Sequence, residues 1–283
     1  MELWIVFVIL YGILKGSREP IKKGILKETN VLSALFGYTF IGFLMSVPTV
    51  KGVVSFSFST FVLVLIKSAV IFVAWILSFK GIKKIPVSTY GIFDMSRVVF
   101  STLLGVAFLH ESLTVKGVVS LILVVMGLYF ANTGKSNGDE EYKAKYVWYV
   151  LLSCFLNAIS GTLDKYIMSI GDITSSALQF WFMLLLSMFY LGYMIAKKEK
   201  IQLKKCFLNP WVYVLSFSLV FGDRLLFIAN SYPASQVTIM TLLKQSSAVV
   251  TIVLGKLVYK EKNILKKLLC AAIIIAGICL SIM

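Results

Sequence analysis

LLGVAFLHESLTVKGVVSLILVVMGLYFA (residues 103–131) and VLGKLVYKEKNILKKLLCAAIIIAGICLS (residues 253–281) are the two stretches whose reading decides the fold. They lie 150 positions apart, and their small and charged residues recur in register: Leu104-Gly105 with Leu254-Gly255, Glu111 with Glu261, Lys116 with Lys266, Gly127 with Gly277. The same shift pairs Ser96 with Ser246 and Val99 with Val249 just upstream. Fixed-period self-similarity marks a duplicated unit. Both copies are almost wholly apolar, so the unit is built for a bilayer.

Composition agrees. Hydrophobic residues make up 59% of the 283, charged residues 14%, and mean hydropathy is +0.89. A soluble domain carries about 25% charged residues. Ten apolar runs of near-spanning length follow, at roughly 2–16, 31–49, 60–79, 85–109, 115–132, 145–168, 174–196, 209–231, 234–258 and 264–283; a spanning helix needs about 20 residues. None alternates with a period of two, which excludes a membrane β-barrel. The expected fold is an all-α membrane protein of ten transmembrane helices. Residues 1–132 form the first five-helix unit, 133–144 a polar linker and 145–283 the second unit. An odd number of spans per unit inverts the second relative to the first. The weakest helix boundaries, Gly81–Pro86 and Ser231–Pro233, each end at a proline, which breaks helix hydrogen bonding.

The net charge of +15 does not indicate nucleic-acid binding, because the basic residues sit in short loops between apolar runs. Of 28 Lys and Arg, loops after odd-numbered runs hold 21, including five in 15–30; loops after even-numbered runs hold Lys51, Lys116 and Lys165. Positive loops stay cytoplasmic, so the reading is a multi-pass cell-membrane protein with both termini extracytoplasmic. The four Cys show no CxxC spacing and read as small apolar residues, and a lone His110 cannot form a His-cluster metal site. No metal or cofactor is expected.

Four basic residues fall inside runs: Lys67, Arg97, Arg224 and Lys244. With Asp94 and Asp223 they form a set of six charges summing to +2. Ionisable groups at such depth are costly and face a partner or a cavity. Asp94 and Arg97, three residues apart, share a helix face and can pair. Asp94 and Lys244 are counterparts under the 150-residue shift and could meet between the units. Tyr90, one turn before Asp94, and Thr241, one turn before Gln245, complete the candidate substrate-binding set: Lys67, Tyr90, Asp94, Arg97, Asp223, Arg224, Thr241, Lys244 and Gln245. The bland alternative is that these charges only pair with one another. Asn157 and Gln179 read as interhelical hydrogen bonders. Glu111 and Glu261 read as caps of the helix that follows each.

The glycine-containing helix end before a Glu, the final helix with a central Gly, and the short breaks GIKKIPVST and ANSYPASQV together resemble the drug/metabolite transporter superfamily, in its EamA-type ten-helix members. The resemblance covers nearly the whole chain as two copies. It implies a secondary active transporter moving a small organic metabolite through the bilayer by alternating access. Its members carry amino acids, nucleotide-sugars, phosphorylated sugars and other metabolites, and commonly hold both termini in the cytoplasm, the reverse of what the charges here argue. The positive surplus favours an anionic or zwitterionic substrate. Asp94 or Asp223 is the candidate for proton coupling, and the chain is a monomer or a homodimer. Two alternatives share the fold: a multidrug or cation exporter, which needs a membrane-embedded carboxylate such as Asp164, and a flippase for lipid-linked sugar. A membrane enzyme acting on lipid is a third, but no HExxH, acidic pair or second His supports it. No GxxxxGK[ST] motif is present.

Overall fold

The computed structural model describes residues 3–109, 115–133, 143–198, 202–235, 239–240 and 243–282. Among these residues the chain is helical throughout, without a strand. The elements are α1 (Leu3–Glu28), α2 (Val31–Ser46), a 3-10 turn (Val47–Thr49), α3 (Phe58–Ile82), α4 (Val87–Asp94), α5 (Arg97–Leu109), α6 (Val115–Thr133), α7 (Ala144–Ile170), α8 (Ser175–Ala196), the short α9 (Leu203–Phe207), α10 (Pro210–Ser231), α11 (Ser246–Tyr259) and α12 (Ile264–Ile282). Among the described residues, six segments are long and apolar enough to cross a bilayer: Val31–Thr49, Phe58–Ile82, Val87–Ala107, Ala144–Ile170, Ser175–Ala196 and Pro210–Ser231. This is a multi-pass membrane protein.

Helix starts follow side-chain capping. Asn30, Ser57 and Thr174 each accept the amide three residues on, opening α2, α3 and α8. Asn209 caps α10 with Pro210 at its first position. Gly171, at φ 79°, stops α7 in the left-handed conformation.

Two boundaries differ from the sequence reading. The first apolar run was expected to end near residue 16 and give way to a loop. Instead α1 continues to Glu28, about 39 Å at 1.5 Å per residue. It runs through Pro20, which has no N–H to give the Gly16 carbonyl. Thr251 Oγ1 of α11 donates to that carbonyl at 3.2 Å, and Tyr259 Oη donates to the Pro20 carbonyl at 2.7 Å. The Thr251 hydroxyl thus serves the carbonyl that proline frees, as membrane helices require, and Tyr259 ties the next turn to α11. The fourth run, in turn, is broken. Tight bonds from Met95 N to Ile92 O and from Ser96 N to Phe93 O separate α4 from α5. A matching turn at Lys244–Gln245 precedes α11.

Packing brings the halves of the chain together. α1 lies on α10 and α11, and α7 lies on α3 and α5; α2 packs on α8 and α10, α8 on α2 and α3, α4 on α11, and α6 on α12. Small residues set the closest approaches. A Cβ on Gly16 would stand 2.4 Å from the Ser247 carbonyl, and one on Gly12 would collide with Ser246 Oγ, so the GxxxG spacing lets α1 and α11 touch through backbone. Gly127 and Gly277 do the same between α6 and α12.

Loops join across the halves as well. Gln202 exchanges bonds with Asn30 N (3.1 Å) and Ser33 Oγ (3.0 Å). On another side, Asp172 accepts from the amide and hydroxyl of Ser57 and the hydroxyl of Thr60. Slight burial works against its charge, but these donors hold its carboxyl below the usual range. Glu261 does not cap the helix that follows it. Its Oε1 accepts from Val87 N at 2.6 Å and its Oε2 from Ser88 N at 3.0 Å, so it caps α4 of the other half. Glu111 lies outside the described residues.

If the α1–α11 contact depends on a missing side chain, Gly16→Ala should destabilise the protein by about 1–3 kcal/mol through overpacking. Gly192→Ala, where nothing lies within 4 Å of the added carbon, should be neutral or mildly stabilising. Apparent melting temperatures in detergent compare the two; equal values would remove the close approach as a stabilising feature.

Candidate functional site

The charges that α1 carries beyond residue 14 form a stripe. Tyr11, Lys15, Arg18, Glu19 and Lys22 are spaced i, i+4, i+7, i+8 and i+11, so they share one helix face. All five line a cavity of about 100 Å³ between the halves of the chain. On α7, Asn157, Ser160, Gly161 and Asp164 line it too, at a constant shift of 142 from Lys15, Arg18, Glu19 and Lys22. The correspondence continues around the wall. Tyr38 of α2 pairs with Phe182 of α8 at a shift of 144, and Ile71, Trp75 and Ser78 of α3 pair with Asp223, Phe227 and Asn230 of α10 at a shift of 152. Tyr90 of α4 pairs with Met240 at a shift of 150.

The lining gathers six cations: Lys15, Arg18, Lys22, Lys67, Arg97 and Lys244. It contains three carboxylates, Glu19, Asp164 and Asp223. A fourth, Asp94, stands behind the wall at the end of α4, bonded to both Lys15 and Arg97 (the latter at 2.9 Å). Lys22 pairs with Glu19 at 2.8 Å, one helical turn away. Lys67, only 1% exposed, lies 2.9 Å from Asp164 Oδ1. Its ammonium is also sandwiched between the rings of Phe182 (3.4 Å) and Phe227 (4.9 Å), which suits a desolvated cation. Arg18 Nη1 reaches Asp223 Oδ1 at 3.4 Å and its guanidinium stands 5.4 Å from the Tyr11 ring. Tyr90 donates to or accepts from Ser78 at 2.6 Å. Lys244, at the break before α11, has no carboxylate within ion-pair distance among the described residues; its amine is 6.0 Å from the Tyr11 ring.

Of the nine residues expected from sequence, Lys67, Tyr90, Arg97, Asp223 and Lys244 line this one cavity, and Asp94 anchors two of its cations. Arg224 does not join them. It donates to Gln179 Oε1 (2.7 Å) and Thr49 Oγ1 (3.0 Å), holding α10 against α8 and the 3-10 turn. Adjacent residues on a helix point about 100° apart, and here Asp223 faces the cavity while Arg224 turns toward α8. Gln245 is buried but outside the lining. Thr241 lies outside the described residues. Asp94 and Lys244 do not meet, because Lys15 and Arg97 already occupy the carboxylate.

Sequence reasoning missed Lys15, Arg18, Glu19 and Lys22, which it placed in a loop. Their helical spacing was the available signal; the density of charge and Pro20 obscured it. Removing Lys15, Arg18 and Lys22 from the 21 basic residues counted in one set of loops leaves 18, still far above three. Asp164 was also undervalued, as a residue near a helix end. Asn157 lines the cavity while its Nδ2 bonds the Ser153 carbonyl within its own helix (2.8 Å), not a neighbouring helix; Gln179 does bridge helices, donating to Val220 O at 2.6 Å.

Comparison with known proteins agrees with this architecture. The model of the EamA-like transporter family matches residues 2–133 and again residues 144–283. The chain belongs to the EamA-like transporter family. Members of this family are membrane transporters of the drug/metabolite superfamily rather than enzymes. A solved crystal structure of another protein superposes on it with a TM-score of 0.71, covering 99% of this chain and 96% of that one at 12% identity, a likeness of fold. No curated protein matches the sequence.

The Lys67–Asp164 pair offers a direct test of how tightly the cavity's charge is balanced. Asp164→Asn leaves a buried ammonium without its counter-charge and should cost about 3–5 kcal/mol, whereas Lys67→Met combined with Asp164→Leu should recover most of that loss. Thermal unfolding of the purified variants reads the difference; a double variant no more stable than the single would show that the pair is not the unit.

Proposed function

We propose that this protein is a secondary active transporter that carries a small anionic or zwitterionic metabolite by alternating access. In this reading ten spans form two inverted five-helix units, residues 1–132 and 145–283, which rock about the cavity between them. The observation that carries the proposal is the charge of that cavity. Six cations face three lining carboxylates and one behind the wall, a surplus of +2 at full ionisation. Positive charge so concentrated in low dielectric is stabilised by an anion.

The inverted arrangement draws support from correspondence. Exchanging α1 with α7, α2 with α8, α3 with α10, α5 with α11 and α6 with α12 maps the observed helix contacts onto one another: α1 on α10 becomes α7 on α3, and α1 on α11 becomes α7 on α5. The loop contacts exchange likewise, 28–33 on 202–209 becoming 172–174 on 51–60. Lys23 donates to the Ile85 carbonyl before Pro86, and Lys165, 142 positions later, donates to the carbonyls of Asn230 and Tyr232 before Pro233. Discontinuous helices, here interrupted at 95–96 and 244–245, are typical of transporter binding sites. A cation exporter is less well served, since every carboxylate at the cavity already holds a Lys or Arg. Asp223, at 3.4 Å from Arg18, is the most loosely held of these and the better candidate for proton coupling.

Two measurements follow. Proteoliposomes should accumulate or exchange at least one radiolabelled carboxylated or phosphorylated metabolite, and Arg97→Gln should lower that flux about ten-fold, equivalent to about 1.4 kcal/mol. Full flux in the variant would take Arg97 out of the site. Single cysteines introduced next to each terminus, in a background lacking the native four, should react with an impermeant maleimide from outside intact cells. Labelling only after permeabilisation would reverse the orientation drawn from the basic loops.

A further inference from the structure

The two halves differ at their helix breaks in one chemical respect. At the first break Asp94 supplies a carboxylate, which binds Lys15 of α1 and Arg97 of α5. At the second break the counterpart position holds Lys244, a cation. Five of the six lining cations have a carboxylate in reach; among the described residues Lys244 has none. Arg18 is the next least satisfied. It is 4% exposed, and among the described residues its only carboxylate contact is the long one from Nη1 to Asp223. Its Nε and Nη2, the two donors on one edge of the guanidinium, have no hydrogen-bond partner. The Tyr38 phenol lies close enough to interact with the guanidinium, though outside good hydrogen-bond geometry at both nitrogens. A buried donor left unmade is unfavourable, and more so when charged. Both cations reach the same ring, Tyr11, so they flank one stretch of the cavity wall.

We propose that Arg18 and Lys244, both beside the Tyr11 ring, form the subsite that binds a carboxylate group of the transported molecule. The inference rests on the transport reading of the cavity and narrows it to a substrate class. The edge of Arg18 offers two parallel N–H groups, the geometry that a planar carboxylate fills with both oxygens, while Lys244 supplies a point charge without geometric demand. The incoming carboxylate does at the second break what Asp94 does at the first. It satisfies the Arg18 edge, neutralises Lys244 and reduces the surplus of the cavity by one charge. Arg18 is then a specificity-determining residue that a loop assignment of residues 15–30 would conceal.

The test uses thermal stabilisation of the purified full-length protein by four probes, lactate, alanine, succinate and inorganic phosphate, with lactamide as the uncharged match to lactate. A ligand that binds the folded state raises its melting temperature. At least one of the three carboxylates should do so, lactamide should not, and Lys244→Gln and Arg18→Lys should each raise the half-saturating concentration about ten-fold or more. Lys244→Gln breaks no ion pair seen here, so its fold is secure even if Arg18→Lys proves unstable. Arg224→Gln, outside the cavity, should bind as the wild type does. The proposal falls if no carboxylate stabilises the protein, if lactamide matches lactate, if phosphate alone binds, or if both variants bind unchanged. Uptake of a neutral or phosphorylated compound into proteoliposomes alongside such a result would leave the protein a transporter and remove only the carboxylate subsite.

Discussion

Taking an ion out of water into a bilayer is so unfavourable that the interior of this protein is organised around matching charges. Four carboxylates at the cavity each hold at least one Lys or Arg, and the matches cross helices: Lys15 to Asp94, Arg18 to Asp223, Lys67 to Asp164. Only the pairs Lys22–Glu19 and Arg97–Asp94 are local. Breaking one partner of such a pair is far worse than never having had either. The ion pairs therefore fix which helices are neighbours as firmly as the apolar packing of α2, α3, α7, α8 and α10 does. They also explain why α1, with seven charged residues, can sit inside the bundle at all.

That arrangement leaves the cavity wall polar and its surroundings apolar. Phe182 and Phe227 stand beside Lys67, and the Tyr11 ring stands near both Arg18 and Lys244. Aromatic faces accept a cation without competing for its hydrogen bonds. The site can hold charge ready without fully satisfying it, which is the condition a carrier needs: a ligand bound too well is never released.

Much of the fold was legible because bilayer burial imposes a simple rule on sequence. Apolar runs of spanning length, prolines at two corresponding breaks and a 150-residue register were enough to place most helices and to single out Lys67, Arg97, Asp223 and Lys244. The failures have a common cause. A charged segment such as Lys15–Glu28 reads as a loop when the only partner considered is lipid, and its helical stripe becomes meaningful only once Asp94 and Asp223 face it. Arg224 was misjudged for the opposite reason: depth in an apolar run does not tell which face a residue occupies, and its partners, Gln179 and Thr49, are distant in sequence. Glu261 shows the same limit, since the amides it caps lie 173 and 174 positions away.

That last contact bears on how the protein can move. The carboxylate of Glu261 closes the exposed end of α4, and Lys267 reaches Ser88 Oγ at 2.8 Å in the same cluster. Parting the halves at this edge would strand two amides, a carboxylate and an ammonium at once.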